Sequence, residues 1–468
     1  MHFLTDNVTP PPRKRRQPSG MVGFMVVWVG QLVSLVGSAM TWFALTLWAW
    51  QITGQATALA LVTFFSFTPM VLLSPVAGAL VDRWNRKLVM MLSDLAAGLS
   101  TIVVFLLYVT GNLEIWHLYI TGAFAGAFQA FQWPAYSATI TTMLPKEQYG
   151  RANGMMSVAD TAPLIVAPLL AGTLIGVIGI GGVMAIDIVT FLFAIGALLL
   201  VHIPKPVATE DGKEASGSLL QESLYGFRYI RKRRGLLGLL MAFFGANLFS
   251  TFGTALGPAM VLARTGDDAQ VLGAVLSAGG IGGVVGGLVM SAWGGPKRRV
   301  HGVLLGIALE GLLGLLLLGL GQSATFWMAG LFLWVFIGPI TGGSSNAIWQ
   351  AKVAPDVQGR VFAARRMIGQ ISFPLGLLIA GPLADYVFEP AMQRGGALAE
   401  VFGGLVGVGP GAGMALMLVL AGLATGAVGL SGYLFPAIRN VEADLPDHVQ
   451  TEGAAEALPA PMSLAAEA

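Results

Sequence analysis

The sequence contains no cysteine, and only 11% of its residues are charged. The absence of cysteine excludes disulfides, thiolate metal sites and cysteine nucleophiles. The five histidines all lie near the chain ends or near the ends of hydrophobic stretches, at His2, His117, His202, His301 and His448. We therefore expect no metal site, no cofactor and no enzyme active site.

Charge of either sign is too sparse to suggest a nucleic-acid partner. The chain has 26 Lys and Arg against 24 Asp and Glu, which gives a formal net charge of +2. The basic residues are also spread over many short loops and form no single basic surface. We expect membrane lipid and a small molecule, not nucleic acid, to be the partners of this chain.

Hydrophobic residues, in contrast, make up 55% of the 468 residues, and the mean hydropathy of the chain is +0.74. A membrane span needs about 20 apolar residues to cross about 30 Å of hydrocarbon, and it must satisfy its own backbone hydrogen bonds. The sequence therefore predicts an all-α membrane protein with twelve transmembrane helices, at 21–50, 57–80, 88–109, 115–140, 152–178, 181–203, 236–263, 269–293, 300–321, 325–350, 361–387 and 411–436.

The basic residues predict the orientation of these spans. Alternate loops hold 24 of the 26 Lys and Arg, and only Arg264 and Arg394 fall on the other side. Since cytoplasmic loops are the ones enriched in Lys and Arg, both termini are expected in the cytoplasm. The first hydrophobic run is too long for a cleavable signal peptide, so we expect a multi-pass protein of a bacterial-type cell (inner) membrane.

The chain repeats itself at an offset of 209 residues, which indicates two related six-helix bundles. The matching pairs are Gly78 with Gly287, Trp84 with Trp293, Gly150-Arg151 with Gly359-Arg360, and Ala171-Gly172 with Ala380-Gly381. Two parallel repeats place a ligand site at their interface, where rocking of one half against the other exposes it to each side in turn.

The predicted organisation has five parts. They are a cytoplasmic N-terminal tail (1–20), a first six-helix bundle (21–203), a cytoplasmic linker with an amphipathic segment (204–235), a second six-helix bundle (236–437) and a disordered cytoplasmic tail (438–468). The linker segment ends in a run of basic residues, which is typical of a helix at the lipid headgroups.

A glycine, an acid and several bases stand together between the second and third spans, in the string Gly78-Ala-Leu-Val-Asp82-Arg83-Trp84-Asn85-Arg86-Lys87. The string resembles the cytoplasmic loop signature of the major facilitator superfamily, with Asn85 where glycine is usual. Asn tolerates a left-handed turn, so the loop is expected to keep its shape. The resemblance implies the superfamily fold of two pseudo-repeated bundles.

The resemblance also implies that Asp82 braces the start of span eleven when the inner side is closed. A carboxylate near a helix N-terminus is stabilised by the positive end of the helix dipole. We therefore predict a gating motif, made of Gly78, Asp82, Arg83, Arg86, Lys87, Arg365 and Arg366. The alternative, a basic loop that only sets topology, explains the cations but not the acid.

Span five contains Ala167-Pro168-Leu-Leu-Ala171-Gly172, which resembles the Gly-Pro-x-x-Gly-Gly kink of antiporters in the same superfamily. Two of its glycines are alanine here. The expected helix kink involves Pro163, Pro168 and Gly172. Proline and small residues also serve packing alone in membrane helices, and that alternative stays open.

Further strings resemble the branch that includes macrolide efflux proteins and the enterobactin exporter. They include Phe131-Gln132-Trp133-Pro134-Ala135, Pro145 to Gly154 and Ala347-Ile-Trp349-Gln350. This resemblance implies export of bulky amphipathic compounds, driven by proton entry. We expect the exporter to work as a monomer.

Four of the acids within the predicted spans are taken as functional candidates, because an ionisable group there costs a few kcal/mol. As proton-coupling candidates they rank Asp187, Asp160, Glu310 and Asp94. We expect Asp94 to pair with the basic cluster at residues 83–87, and Asp160 to pair with Arg365 or Arg366 across the two halves.

In the superfamily the first, fourth, seventh and tenth spans line the central cavity. In this chain they supply amides, hydroxyls and aromatics, namely Gln31, Ser38, Trp42, Gln129, Gln132, Trp133, Asn247, Phe252, Trp334, Asn346 and Gln350. Such a lining suits large, weakly polar ligands and not phosphorylated or dicarboxylic ones, which need buried Arg or Lys. The same residue types also join helices to one another.

The sequence thus predicts a secondary transporter that exports small amphipathic molecules by proton antiport with alternating access. An uptake transporter or a lysolipid flippase of the same fold is the near alternative. A channel or a membrane receptor is the alternative from another class. The duplicated halves and the Asp82 motif favour alternating access over a channel.

Overall fold

The computed structural model describes residues 18–201, 219–353 and 357–446, and every regular element in these ranges is a helix. The side chains of a few residues inside the ranges, among them Gly78, Asp82 and Arg83, are outside the described part. The predicted N-terminal tail falls mostly on residues 1–17, which lie outside the described residues.

The first half contains six helices. They are α1 (Gly20–Thr53), α2 (Ala56–Arg83), α3 (Arg86–Val109), α4 (Ile115–Met143), and α5 (149–178) and α6 (180–200), the two parts of Tyr149–Leu200. The long helix divides at Gly179, whose φ of 69° and ψ of 177° are not helical. Glycine tolerates this conformation because it lacks a Cβ.

A shorter helix, α7 (Leu219–Lys232), precedes the second half. The second half consists of α8 (Arg234–Thr265), α9 (Ala269–Trp293), α10 (Arg299–Leu309, continued by the π-helical turn Glu310–Leu315 and by Leu316–Leu320), α11 (Ala324–Lys352), α12 (Gln358–Leu383, continued by the π-helical turn Ala384–Phe388 and by Glu389–Ala391), α13 (Ala399–Val406), α14 (Ala412–Ser431), α15 (Pro436–Arg439) and α16 (Val441–Asp444).

Twelve of these helices correspond to the predicted spans. Ten described segments are long and apolar enough to cross a membrane. Tyr149–Leu200 counts once among them although it contains two spans, and α4 adds a 29-residue helix without Asp, Glu, Lys or Arg. The fold is therefore two six-helix bundles, α1–α6 and α8–α12 with α14.

Local chemistry explains where several helices begin and end. Gly54, Gly266 and Gly294 end α1, α8 and α9 in the left-handed conformation that glycine adopts at low cost. Asn85 does not adopt the expected left-handed turn. Its φ is −69°, and its side chain caps α3 by accepting from the N–H groups of Lys87 and Leu88. Asn fits there because its carbonyl oxygen satisfies unpaired helix N–H groups.

Short connections make consecutive spans antiparallel, so the loops alternate between two faces. We call the face with residues 84–85, 144–148, 294–298 and the C-terminal residues 432–446 the terminal face, and the other the opposite face. The opposite face holds residues 54–55, 110–114, 179, 266–268, 321–323 and 392–411.

Glycines let the helices of each bundle approach closely. Gly30 and Gly37 of α1 face Ala197 and Thr190 of α6, where any added Cβ would collide. Gly282 and Gly286 of α9 lie in the same way against backbone of α11. Such contacts replace the hydrophobic driving force, which is absent between helices in lipid.

The sequence predicted a disordered tail over residues 438–468, but residues 438–446 are ordered and include the end of α15 and the helix α16. Ile438 and Val441 of α15 and α16 are buried in an apolar cluster with Trp349. The Glu442 carboxylate accepts hydrogen bonds from the N–H groups of Arg299 and Val300 at 3.0 and 2.9 Å, which caps α10. Residues 447–468 lie outside the described residues.

The predicted amphipathic segment overlaps α7. Gly226 of this helix lies against the carbonyl of Arg360, and Ile230 is 1% exposed. The helix therefore packs on the terminal end of α12, and its basic last turn includes Arg231 and Lys232. Residues 202–218 of the predicted linker lie outside the described residues.

Candidate functional site

A cavity of about 560 Å³ lies inside the first bundle. Every residue that lines it belongs to α1–α6, and all six helices contribute. The expectation placed the ligand site at the interface between the halves, so this location differs from the prediction. The cavity has the size of a site for a drug-sized ligand.

Asp94 of α3 anchors one end of this cavity. Its carboxylate accepts hydrogen bonds from the Nε2 atoms of Gln31 and Gln132, each at 2.6 Å. Gln132 also donates to the side-chain oxygen of Gln31 at 3.1 Å. The recorded partners of Asp94 are therefore the two amides. Its pairing with the basic cluster at 83–87 stays a prediction, since the side chain of Arg83 lies outside the described part. The Asp94 side chain lines the cavity inside the bundle and is 5% exposed.

Asp187 of α6 anchors another part of the cavity, and it is 2% exposed. Its carboxylate accepts hydrogen bonds from the hydroxyls of Ser38 in α1 and Thr101 in α3, both at 3.0 Å. Gly37 lies directly against Asp187, where a larger residue would not fit. Three helices thus meet at this carboxylate.

Asp160 of α5 lines the same cavity and is more exposed than the other two acids. The structure records no ion pair between Asp160 and Arg365 among the described side chains. Arg365 instead donates to the side chains of Asn346 and Ser345, at 2.9 Å each, and its guanidinium lies over the ring of Trp349. No bridge from Asp160 to Arg365 or to Arg366 is recorded in the described part of the chain, since Arg365 is held within the second half and the Arg366 side chain is exposed.

Glu310 lies apart from both described cavities. It begins the π-helical turn of α10 and accepts a hydrogen bond from Thr341 of α11 at 2.6 Å. Turns of this kind often mark functional sites. Here the carboxylate joins two helices of the second bundle, and it does not face the cavity acids.

A second cavity of about 260 Å³ lies between the halves. Asn247, Ser250, Thr251 and Thr254 of α8 line it, with Trp334 of α11, Gln370, Ser372 and Phe373 of α12, and Phe67 of α2. No charged residue is among its lining residues in the described part. Phe67 also lines the larger cavity and meets Phe373 edge to face, with ring centroids 4.6 Å apart. Phe67 therefore stands between the two cavities.

The predicted cavity residues divide into three groups. Gln31, Ser38, Trp42, Gln129 and Gln132 line the larger cavity, and Asn247 and Trp334 line the smaller one. The remaining four line neither cavity: Trp133, Phe252, Asn346 and Gln350.

The prediction that spans one and four line the cavity in this half missed the contribution of α2, α3, α5 and α6. Ser93 and Asp94 stand seven residues before Ser100 and Thr101, which places both pairs on one face of a helix. This polar stripe in an apolar helix is the signal that could have shown that α3 faces the cavity.

The predicted gating motif is described in part. Gly78, Asp82 and Arg83 lie in the last turns of α2, and their side chains are outside the described residues. Lys87 donates from Nζ to the carbonyl oxygen of Val201 at 2.7 Å, at the end of α6. A cation at a helix C-terminus is stabilised by the negative end of the helix dipole. The Lys87 contact therefore stabilises the packing of the start of α3 against the end of α6. Arg366 is exposed at the terminal part of α12.

The predicted kink residues of α5 lie in regular helix, and the break comes later, at Gly179. Pro163 lines the larger cavity. Pro168 and Gly172 face α9, where a Cβ on Gly172 would lie 2.7 Å from the carbonyl oxygen of Ala269. They form the contact between α5 and α9 that joins the two halves.

The family model of the Major Facilitator Superfamily matches residues 27–377. The chain belongs to the major facilitator superfamily. Spans one to six of this superfamily transporter are α1–α6, spans seven to eleven are α8–α12, and span twelve is α14. The larger cavity therefore lies within spans one to six.

Curated relatives of this superfamily transporter include efflux proteins. Macrolide efflux protein A of Streptococcus pyogenes is 26% identical over 377 residues, which covers 78% of this chain and 90% of the relative. Multidrug efflux pump Tap of Mycolicibacterium fortuitum is 25% identical over 389 residues, covering 79% and 90%. These relatives are transporters, not enzymes.

Among solved structures, a bacterial homologue of the human lysosomal transporter Spinster, in an inward-facing and unoccupied conformation, matches with a TM-score of 0.66. Its sequence is 16% identical, and the match covers 91% of this chain and 99% of that one. At this identity the match concerns the fold alone. It agrees with two six-helix bundles in a superfamily transporter.

Proposed function

We propose that this protein exports amphipathic molecules that carry a basic amine, in exchange for protons. The observation that carries the proposal is the lining of the larger cavity, whose described residues include Asp94, Asp160 and Asp187 and no Lys, Arg or His. Acids without a basic partner attract a cation, and the apolar remainder of the lining accepts the rest of an amphipathic ligand.

The two buried acids have partners of different chemistry. Ser38 and Thr101 are hydroxyls, which both donate and accept, so Asp187 keeps its hydrogen bonds with or without a proton. The amide nitrogens of Gln31 and Gln132 only donate, so Asp94 keeps its bonds as a carboxylate. We therefore assign the proton to Asp187, and the charge that attracts the amine to Asp94.

Aromatic side chains suit the amine and the apolar body of such a ligand. Trp42, Phe67 and Phe191 line the cavity with the acids. A cation near an aromatic ring is attracted by the negative face of the ring. A neutral ligand makes only the apolar contacts in this cavity and lacks the attraction of a cation to the acids and rings.

The direction of transport follows from the proposed topology. If the basic loops are cytoplasmic, the terminal face is the cytoplasmic face. The recorded hydrogen bonds between the halves lie at the opposite face, such as that from Trp50 to Asp267, and in the interior, where Ser277 donates to the carbonyl of Ile165. A transporter sealed at its outer face receives its ligand from the cytoplasm, as an exporter does in its loading state.

Purified protein in liposomes tests the proposal with a fluorescent amphipathic amine and an imposed pH gradient. We expect an acidic liposome interior to drive uptake through protein inserted inside out, and at least a tenfold loss of this uptake in Asp187→Asn. Glu400→Gln, an exposed acid on the opposite face outside the cavity, is the matched control and should transport normally. Equal transport by Asp187→Asn and wild type, or no effect of the gradient, would refute the proton assignment.

Labelling tests the sidedness independently. Because the chain has no cysteine, single cysteines at Ser19 and at Asp444 report their side directly. Both should react with a membrane-impermeant maleimide only after the cells are opened. Reaction of either in intact cells would place the terminal face outside and reverse the proposed direction.

A further inference from the structure

The start of α2 is capped by an acid from the other half of the protein. Asp385 Oδ1 accepts a hydrogen bond from the N–H of Ala56 at 3.0 Å, and Oδ2 accepts one from the N–H of Thr57 at 2.8 Å. The first N–H groups of a helix have no partner within the helix. Gln55, the residue at the N-cap position of α2, makes no side-chain cap. Asp385 therefore performs across the two halves a role that a local residue usually performs.

A second acid of the second half makes a similar contact nearby. The indole N–H of Trp50, near the end of α1, donates to Asp267 Oδ1 at 2.8 Å. Asp267 has a φ of 67°, the one non-glycine residue with positive φ in the described part of the chain. Asp is among the few residues that visit this conformation routinely. Both contacts thus use a donor of the first half and a carboxylate of the second.

Close packing lies directly beneath the Asp385 contact. A Cβ on Gly381, one turn before Asp385, would lie 2.6 Å from the Cα of Thr57. The end of α12 and the start of α2 therefore touch through backbone. The carboxylate reaches its two N–H groups because nothing bulky separates the helices.

The other seam between the halves is built differently. Where α5 meets α9, Gly172, Gly273 and Gly280 bring backbone against backbone, and the one recorded side-chain bond runs from Ser277 to the carbonyl of Ile165. No charged side chain is recorded at this contact among the described residues. Among the described residues, the recorded carboxylate contacts between the halves are therefore those that Asp385 makes with α2 and Asp267 makes with α1, and none lies where α5 meets α9.

We propose that Asp385, assisted by Asp267, is the gating residue that holds the opposite face shut. When the halves rock apart on that side, Asp385 leaves the N–H groups of Ala56 and Thr57, and both partners become exposed to water. The strength of these bonds sets how often the face opens. The proposal uses the rocking of two halves, which belongs to the fold, and does not depend on the amine, the protons or the direction of transport.

Asp385 is distinct from the gating motif that the sequence suggested. Asp82 stands at the terminal end of α2, whereas Asp385 acts on the start of the same helix at the opposite face. The two acids would therefore act on different conformations. Loss of Asp385 favours a protein open at the opposite face.

Distances between spin labels test the gate without ligand or pH gradient. Because the native chain has no cysteine, one pair of labels can be placed on the opposite face, at Asn112 and Glu400, and another on the terminal face, at Arg151 and Gln350. All four residues are exposed. In Asp385→Ala we expect a several-fold larger population with long distances across the opposite face and short distances across the terminal face.

Tyr386→Ala is the matched control, because Tyr386 follows Asp385 in the chain and is 71% exposed. It should give the distances of the wild type. Trp50→Phe keeps an aromatic ring, smaller than the indole, and removes the donor to Asp267, so it should shift the populations in the same direction by a smaller amount. If Asp385→Ala fails to fold, Trp50→Phe alone tests whether the carboxylate contacts hold the opposite face shut. Unchanged distances in every variant that folds would overturn the proposal, whatever the transport assays show.

Discussion

Gln132 of α4 donates to Asp94 of α3 at 2.6 Å and, from the same nitrogen, to Gln31 of α1 at 3.1 Å. A single amide thus links three helices around the larger cavity. Asp94 is 5% exposed, so little water can reach its carboxylate to replace a lost partner. The amide therefore contributes to stability as well as to the shape of the site.

Gln132→Ala should destabilise the protein. It removes one of the two recorded donors of Asp94 and leaves a buried acceptor partly unsatisfied, which costs about 1–3 kcal/mol. Thermal unfolding in detergent should show a lower melting temperature and weaker binding of a fluorescent amine. Gln129→Ala is the control, since Gln129 lines the same cavity and is exposed in it. An unchanged melting temperature in Gln132→Ala would mean that the hydrogen bond from Gln132 to Asp94 contributes nothing to stability.

Phe67→Ala should widen the range of accepted ligands. Phe67 stands between cavities of about 560 and 260 Å³, and removing its ring joins them. Competition by amines of increasing size should show bulkier compounds gaining affinity relative to small ones. Phe65→Ala is the control because Phe65 stacks on Tyr119, with centroids 5.1 Å apart, and lines neither cavity. The same size preference in Phe67→Ala as in wild type would show that the ring is no barrier.

Gly172→Ala should disturb the seam between α5 and α9. Its Cβ would lie 2.7 Å from the carbonyl oxygen of Ala269, so one helix must move. We expect slower transport and a lower melting temperature, typically by 1–3 kcal/mol of stability for such overpacking. Gly176→Ala, one turn later, meets nothing within 4 Å and should behave like wild type. Equal behaviour of the two variants would show that this seam is not tightly packed.

Glu442→Ala should destabilise the second bundle. It leaves the N–H groups of Arg299 and Val300 at the start of α10 without their cap, at a cost of about 0.5–2 kcal/mol. The control, Asp444→Ala, changes an exposed acid two residues away in α16. Chemical denaturation of both variants measures the difference. A midpoint for Glu442→Ala that equals the control would remove the capping role.

The fold was predictable because hydropathy and span length need only the local sequence. The spans lie within a few residues of the helices, and the repeat indicated two bundles. Contacts between helices were harder to predict. The partner of Asp94 depends on how α1 and α4 are rotated in the bundle, and helical periodicity gives only which residues share a face of one helix.

The acids at the ends of spans were missed for a related reason. Asp267 lies in a loop, where an acid is usually solvated, and Asp385 lies near the end of the predicted span 361–387, in the π-helical turn Ala384–Phe388. Asp385 caps α2, whose first residue lies 329 residues earlier in the chain, and no pattern in the sequence around Asp385 predicts that contact. The expectation that only spans one, four, seven and ten line the cavity likewise left out Thr101.

The described lining of the larger cavity belongs to one bundle. A ligand bound there, as we propose, would travel with that bundle when the halves rock. Its surroundings then stay nearly the same whether the outlet is on one side or the other. A site shared between the halves loses contacts to its ligand when they move apart, but a site within one bundle keeps its contacts and does not lose affinity through this motion. Discharge therefore requires a chemical change inside the bundle itself, and the acids that surround the ligand are the groups able to undergo it.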